Sequence, residues 1–304
     1  MWQGEVAKVL FGALWDTYLD RVPPARRYVE LVAELGGQVI NDHVAFRSLN
    51  VAMPTQPAGA EACIKLFTRL GYRQAGAYAF GATHLAAWHL EHADEALPKI
   101  FISQLEADDI DPKTAAMIRE NVERADAKFA DFAELMRAIE EGEEAEAPPE
   151  QVAGKLAGFF GRPWLPPARS AVEAVSRLSQ YGAWTLLHGN AVNHFTSLIN
   201  AQQIAAWPDI ETTVQGLLDA GVPMKDSIEG AADSPLRQSS TQAARGKFAV
   251  TEADGSIGEI DWTYAYYEFA QRGEIVDPSG ARRRFNGFLG EQTTGLFEMT
   301  RTGG

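Results

Sequence analysis

One cysteine in 304 residues, no long apolar run and a shortage of basic side chains set the first limits on what this chain can be. Cys63 has no second thiol to pair with, so a disulfide scaffold is excluded, and it reads as a buried, inert thiol on an amphipathic helix. No stretch approaches the ~18 consecutive apolar residues of a spanning helix. The opening residues also lack the basic-then-apolar order of a secretory signal. No membrane partner and a cytoplasmic location are the expectation. With 27 basic against 41 acidic residues the formal charge is −14, and the Lys and Arg are scattered rather than striped. Such a surface repels phosphate backbones, which excludes nucleic acid as a partner. Also missing are the G-x-S-x-G elbow, a G-x-x-x-x-G-K phosphate loop and a dinucleotide fingerprint after a strand, so nucleophilic-serine, P-loop and Rossmann chemistry fall away. The ligand should be small, and an anionic one needs a few local arginines.

What is present is a pattern that occurs twice. Two helical stretches fill the first forty residues, broken at Pro23-Pro24 and ended by Gly36-Gly37. A β-rich run follows (Val39, Ile40, Val44, Phe46), then a helix from about 59 to 70 stopped at Gly71. Three strands come next, at 73–80, 84–90 and 100–105, so the order is βαβββ. Residues 107–180 read as a helical insertion, with the acidic run Glu140 to Glu150 as a solvated helix end and linker. A strand-like stretch from Trp184 to Leu198, a helix at 210–220 stopped at Gly221, and strands near 224–229, 246–251 and 261–270 then repeat the order. His43 lies about 28 residues before Gly71 and His194 about 27 before Gly221, which suggests an internal duplication. The predicted fold is α+β: two βαβββ modules, 38–106 and 181–304, the second with a C-terminal extension, sharing a β-sheet cleft within a single catalytic unit, 1–304.

The candidate chemistry follows from that duplication. His43 and His194 occupy matching places in the first strands of the two modules and can converge in a shared cleft. A divalent first-row ion held by two imidazoles needs another ligand, and a carboxylate supplies charge neutralisation. Glu268 sits among aromatic residues, where an uncompensated carboxylate is costly. Metal coordination is one remedy and an ion pair with Arg272 is the other. Alternation along that strand puts Trp262, Tyr264, Tyr266, Glu268 and Arg272 on one side. Arg47, four residues after His43, lies on the same strand face ~13 Å along, placed to grip a substrate carboxylate or to form a surface ion pair. The rival cluster His84, His89 and His92 points to alternating faces and cannot converge without a bend. His188 is placed to orient the second ligand.

Five stretches together resemble one family: Asn41-Asp42-His43 through Arg47, Pro98 to Ser103, Asn193-His194-Phe195-Thr196, Leu236-Arg237-Gln238-Ser239-Ser240, and Glu268-Phe269-Ala270-Gln271-Arg272-Gly273. From about residue 38 onward the chain is similar to the 2-oxoadipate dioxygenase/decarboxylases, also called 2-hydroxyglutarate synthases, of the vicinal-oxygen-chelate group. The resemblance implies Fe(II) held by His43, His194 and Glu268, with Arg47 on the distal carboxylate of a 2-oxo dicarboxylic acid. Arg237, Gln238 and Tyr266 are further substrate-binding candidates. It also implies a reaction: 2-oxoadipate and O2 give 2-hydroxyglutarate and CO2, a step of lysine breakdown, in a dry pocket walled by Trp262, Tyr264 and Tyr266. Two departures stand out. The chain is shorter than many members, which touches the loops that shape the substrate pocket, and Ala270 replaces a second acidic residue often found there, leaving Glu268 as the one carboxylate of its motif. The alternatives are a glyoxalase-like isomerase or hydrolase using Zn or Ni on the same scaffold, and a non-catalytic binding protein. A homo-oligomer is compatible with either.

Overall fold

In a computed structural model, residues 2–276 and 279–288 are described. The end of the predicted C-terminal extension, 289–304, lies outside them. The chain opens with α1 (Trp2–Arg21) and α2 (Pro23–Glu34), then runs through β1 (Asn41–Leu49), α3 (Glu61–Arg69), β2 (Arg73–Phe80), β3 (Leu85–Glu91) and β4 (Lys99–Leu105). Four helices follow: α4 (Pro112–Val122), α5 (Phe132–Glu144), α6 (Pro149–Ala157) and α7 (Arg169–Ser176). The second half contains α8 (Gln180–His188), β5 (Val192–Leu198), α9 (Ile210–Asp219), β6 (Leu236–Ser240), β7 (Arg245–Thr251), β8 (Ile257–Thr263), β9 (Glu268–Arg272), β10 (Glu274–Val276) and β11 (Arg282–Arg284). No helix among the described residues is long and apolar enough to cross a membrane.

Seven strands form one sheet in the order β2-β3-β4-β1-β5-β9-β6. Its halves mirror each other. β1 pairs parallel with β4 and β5 parallel with β9, while β1 and β5 meet antiparallel at the seam. At the seam Ala45 faces His194 and His43 faces Thr196. A two-fold axis between the strands therefore exchanges His43 with His194 and Ala45 with Thr196, the relation that the matching His-to-Gly spacings foretold. Both module helices end as anticipated: Gly71 and Gly221 adopt φ of +91° and +76°, the left-handed cap glycine tolerates best.

Period-2 alternation decides which face is which. Val44, Phe46, Ile100, Ile102, Phe195 and Phe269 point to one side and join α1, α2, α3 and α9 in the main core. His43, Ala45, Arg47, Phe101, Ser103, His194 and Glu268 point to the other, around a cavity.

The second module departs from the sequence reading in three places. Residues 180–188 are a helix, not the start of a strand: every side chain of this segment is buried, so periodicity carries no signal, and the Ser179 hydroxyl caps it by accepting from the Gly182 N–H. Residues 224–229 form no strand of the sheet, meeting β6 and Thr241 through isolated bridges at Glu229 and Met224 and a few further hydrogen bonds, and the strand beside β9 is β6 instead. The segment read as one strand from 261 to 270 is two, because β7 and β8 form a separate hairpin inserted between β6 and β9. Between them, residues 264–267 cross from hairpin to sheet, held by Tyr264 N–H to Ala244 O and Thr241 N–H to Tyr267 O. Gly189 makes the turn from α8 into β5 at φ +61°, ψ −128°, where a Cβ would stand 2.5 Å from the Arg162 Cα. Only glycine fits there, and its turn delivers Asn193 and His194 to the seam.

Candidate metal centre

His43, His194 and Glu268 come together on the cavity face: one ligand atom from each lies within 4.8 Å of the others, and all three residues are buried. The sheet register explains the meeting. His43, Thr196 and Glu268 occupy one rung across β1, β5 and β9, and His194 follows two residues before Thr196 on the same face. The Glu268 Oε2 stands 3.0 Å from the His43 Nε2 and 3.3 Å from the His194 Nε2. Thr196, between them, donates its hydroxyl to the same oxygen at 2.6 Å, and the Gln238 amide donates to Oε1 at 2.7 Å.

Each imidazole is oriented from behind by the residue preceding it. His43 Nδ1 lies 2.8 Å from an Asp42 oxygen, and His194 Nδ1 lies 3.0 Å from the Asn193 side-chain oxygen. On a regular strand adjacent side chains face opposite ways. Here the β1–β5 register shifts between Asn41 and His43 and again between Ala45 and Phe46, leaving Asp42 and Asn193 as the extra residues of two bulges that bring each alongside its histidine. With Nδ1–H donated backward, both Nε2 lone pairs face the carboxylate, and three electron-rich atoms at this spacing call for a cation between them. The donor set of two imidazoles and one carboxylate suits a divalent first-row metal with open positions. Charge follows the same geometry. Burial alone would raise the Glu268 carboxyl, but the two histidines hold it far below the ordinary range. Burial would lower both imidazoles and does lower His194, whereas Asp42 and Glu268 overcome it at His43 and raise that ring.

Arg272 is not the partner of Glu268. It forms a bidentate ion pair with Asp42 (2.6 and 2.7 Å), both side chains buried, and donates to the carbonyls of Phe285 and Gly287. Asp42 is thereby held well below the usual carboxylate range, Arg272 and His43 outweighing its burial. Asp42→Asn should weaken metal binding about 10- to 100-fold, as for other outer-shell partners. It should also cost roughly 3–5 kcal/mol of stability, because Arg272 keeps a buried charge without its counter-ion. Metal titration and chemical denaturation read the two effects separately, and a variant as stable as wild type would refute the second.

Of the other residues singled out in the sequence, Arg47 lines the cavity, buried, with its guanidinium over the rings of Tyr181 (4.8 Å) and Trp184 (5.1 Å). Tyr266 lines it too, its ring stacked on His194 at 4.7 Å. Gln238 offers a buried Oε1, and Asn193 a buried Nδ2, each without a protein partner. Arg237 points to the opposite face of β6, where it binds Glu211 at 2.5 Å. Trp262 and Tyr264 pack in the cores rather than along the cavity, because the 264–267 crossing breaks the alternation that would have aligned them with Tyr266. His188 does not orient His194: it closes α8, bonded to the Thr263 carbonyl and packed on Trp184 and Phe248. His84, His89 and His92 stay apart, His89 bonded to the Tyr78 hydroxyl and His92 to the Asp94 N–H. Burial pushes the Cys63 thiol up to about 12, in keeping with an inert role. Asp42, Asn193, Thr196 and Phe288 went unassigned in the sequence. Phe288 closes the cavity, its ring 4.9 Å from those of His43 and Phe101.

A sheet of two related halves, with a candidate ligand on the first strand of each and a third on β9, is a vicinal-oxygen-chelate-like fold with a candidate metal site. The family model for 2-oxoadipate dioxygenase/decarboxylase matches residues 10–299, and the chain belongs to that family. It is 29% identical over 269 residues to the chloroplastic/amyloplastic 2-oxoadipate dioxygenase/decarboxylase of Oryza sativa, an alignment covering 84% of this chain and 66% of that protein. The chloroplastic counterpart of Arabidopsis thaliana is 27% identical over 278 residues, 86% of this chain and 67% of its own length. The chain thus spans about two thirds of these curated relatives. Among solved structures, a glyoxalase-superfamily protein of Ralstonia eutropha JMP134 superposes with a TM-score of 0.79 at 25% identity, over 93% of this chain and 85% of that one. The Oryza sativa hydroxyglutarate synthase, in complex with 2-oxoadipate, gives 0.75 at 26% identity, over 98% of this chain and 93% of its own.

Proposed function

We propose that this protein is an Fe(II)-dependent 2-oxoadipate dioxygenase/decarboxylase. The observation that carries the reading is the buried His43, His194 and Glu268 trio with Arg47 on the same face of β1, in a chain of this family. The balance is simple: 2-oxoadipate and O2 contain the atoms of 2-hydroxyglutarate and CO2, so no second oxo acid is consumed. His43, His194 and Glu268 hold the iron, which supplies the redox chemistry that lets O2 react with a 2-oxo acid. Arg47 grips the distal carboxylate with its planar fork, preoriented by Tyr181 and Trp184. Gln238 and Thr196 keep the Glu268 carboxylate turned toward the histidines, and Asn193 presents its free N–H to a ligand oxygen. Phe101, Tyr266 and Phe288 exclude water. A cytoplasmic site of action is part of this proposal; the curated relatives above are plastid proteins.

The test is anaerobic loading with Fe(II), addition of 2-oxoadipate, and parallel measurement of O2 uptake and 2-hydroxyglutarate after oxygen is admitted. Equimolar uptake and product is the expected result. Turnover without oxygen uptake would overturn the reading in favour of an isomerase or hydrolase on the same scaffold.

A further inference from the structure

On the other side of Trp184 and His188 from Arg47 lies a second cavity of about 250 Å³, bordered by the end of α1, the turn at 160–162, the end of α8 and strand β7. Every charged side chain lining it is a cation: Arg21, Arg162 and Lys247. In a chain where acids outnumber bases 41 to 27 this is a local reversal of charge. Arg162 is pinned by three neutral carbonyls, those of Trp164, Leu187 and Ala249, through its Nε and Nη1, which leaves Nη2 without a partner among the described residues. The carboxylate that acts on it, Asp126, is bonded to Lys128. Arg21 sits over the Tyr264 ring, its guanidinium carbon 3.8 Å from the centroid, and forms no ion pair among the described residues. Lys247 faces Asp261 across the β7–β8 pairing without closing a salt bridge. His188, buried and packed against Phe248, stays neutral there: its pKa falls to about 3 through burial, with Arg21 and Arg162 adding to the effect. Neutral and bonded to a carbonyl, it adds no further charge, and the Phe248 and Phe160 rings give the cavity an apolar wall.

We infer that this cavity is a second ligand site, distinct from the metal centre, for a small organic dianion whose charged group meets Arg21, Arg162 and Lys247 while its apolar part lies on Phe248. Three cations exceed what a monocarboxylate needs and match a phosphate ester or a dicarboxylate; fork-shaped guanidinium groups suit either. The site owes nothing to the assignment of the reaction, so it stands or falls separately.

The experiment is calorimetric titration of the metal-loaded protein with phenyl phosphate and, separately, with glutarate, repeated on the double variant Arg21→Ser/Lys247→Ser and on Arg47→Ala. Arg162 is left intact because its three carbonyl bonds hold the local backbone. The expected result is 1:1 binding of at least one probe with Kd on the order of a millimolar or tighter, weakened about tenfold or more in the double variant and retained in Arg47→Ala. Which probe binds tells a phosphate ester from a dicarboxylate. Binding lost in Arg47→Ala but kept in the double variant would place the ligand at the metal centre and overturn the inference. So would failure of both probes to bind wild type, or equal affinity for wild type and double variant when thermal melting shows both folded.

Discussion

Glu268→Gln is expected to yield a folded protein that retains no iron. The substitution keeps the shape and the hydrogen bond from Thr196, but it removes the one negative charge among the three ligands and replaces a strong oxygen donor with a neutral amide. Outer-shell partners of metal ligands are worth about 10- to 100-fold in affinity, and a directly coordinating carboxylate must exceed that. Turnover should fall on the order of a thousandfold, equivalent to ~4 kcal/mol. The apo protein should lose some stability as well, because the two histidines hold the Glu268 carboxyl far below its ordinary range and a neutral amide forfeits that interaction. Metal analysis after dialysis decides the matter, and wild-type iron content in this variant would mean that the third ligand is another residue.

Arg47→Ala should spare the metal and raise the KM for 2-oxoadipate. A hydrogen bond to a charged group contributes about 1.5–3 kcal/mol, which sets the increase at roughly 10- to 150-fold. The informative control is a substrate: 2-oxohexanoate has the same chain length but no distal carboxylate, and its poor turnover should be nearly indifferent to the substitution. Equal losses with both acids would show that Arg47 acts through the packing of Tyr181 and Trp184 rather than through the carboxylate. Arg47→Lys keeps the charge but loses the fork, and should fall between wild type and alanine.

That His43, His194 and Glu268 converge and that Arg47 faces the same cavity was legible in the sequence, because strand parity and matched spacing survive folding. His43 and Arg47 share a face by strand parity, and His43 and His194 are matched by their distances to a helix-ending glycine. What stayed hidden lies where parity fails. Asp42 and Asn193 orient the histidines only because each sits at a bulge, and a bulge leaves no period-2 mark. The nine residues of α8 are buried all round and equally compatible with strand or helix until Ser179 is recognised as a cap. The β7–β8 hairpin has the alternation of a sheet strand, so nothing local distinguishes an insertion from a core element, and Trp262 and Tyr264 were drawn toward the cavity with it. Arg272 was read as the alternative partner of Glu268, and its actual partner, Asp42, is distant in sequence and adjacent only through the sheet order.

The two bulges at the seam bear on how the duplicated halves diverged. Asp42 and Asn193 are related by the same two-fold exchange as the histidines, so they are the same device written once as an anion and once as an amide. The lone carboxylate Glu268 has no such twin: its counterpart rung in the first half, where Ala45 pairs with Phe101, offers an aromatic ring. With Phe101 on that rung, the side of the cavity opposite Glu268 carries hydrocarbon and no protein donor, so an ion held by the three candidate ligands would keep open positions where a guest could meet it.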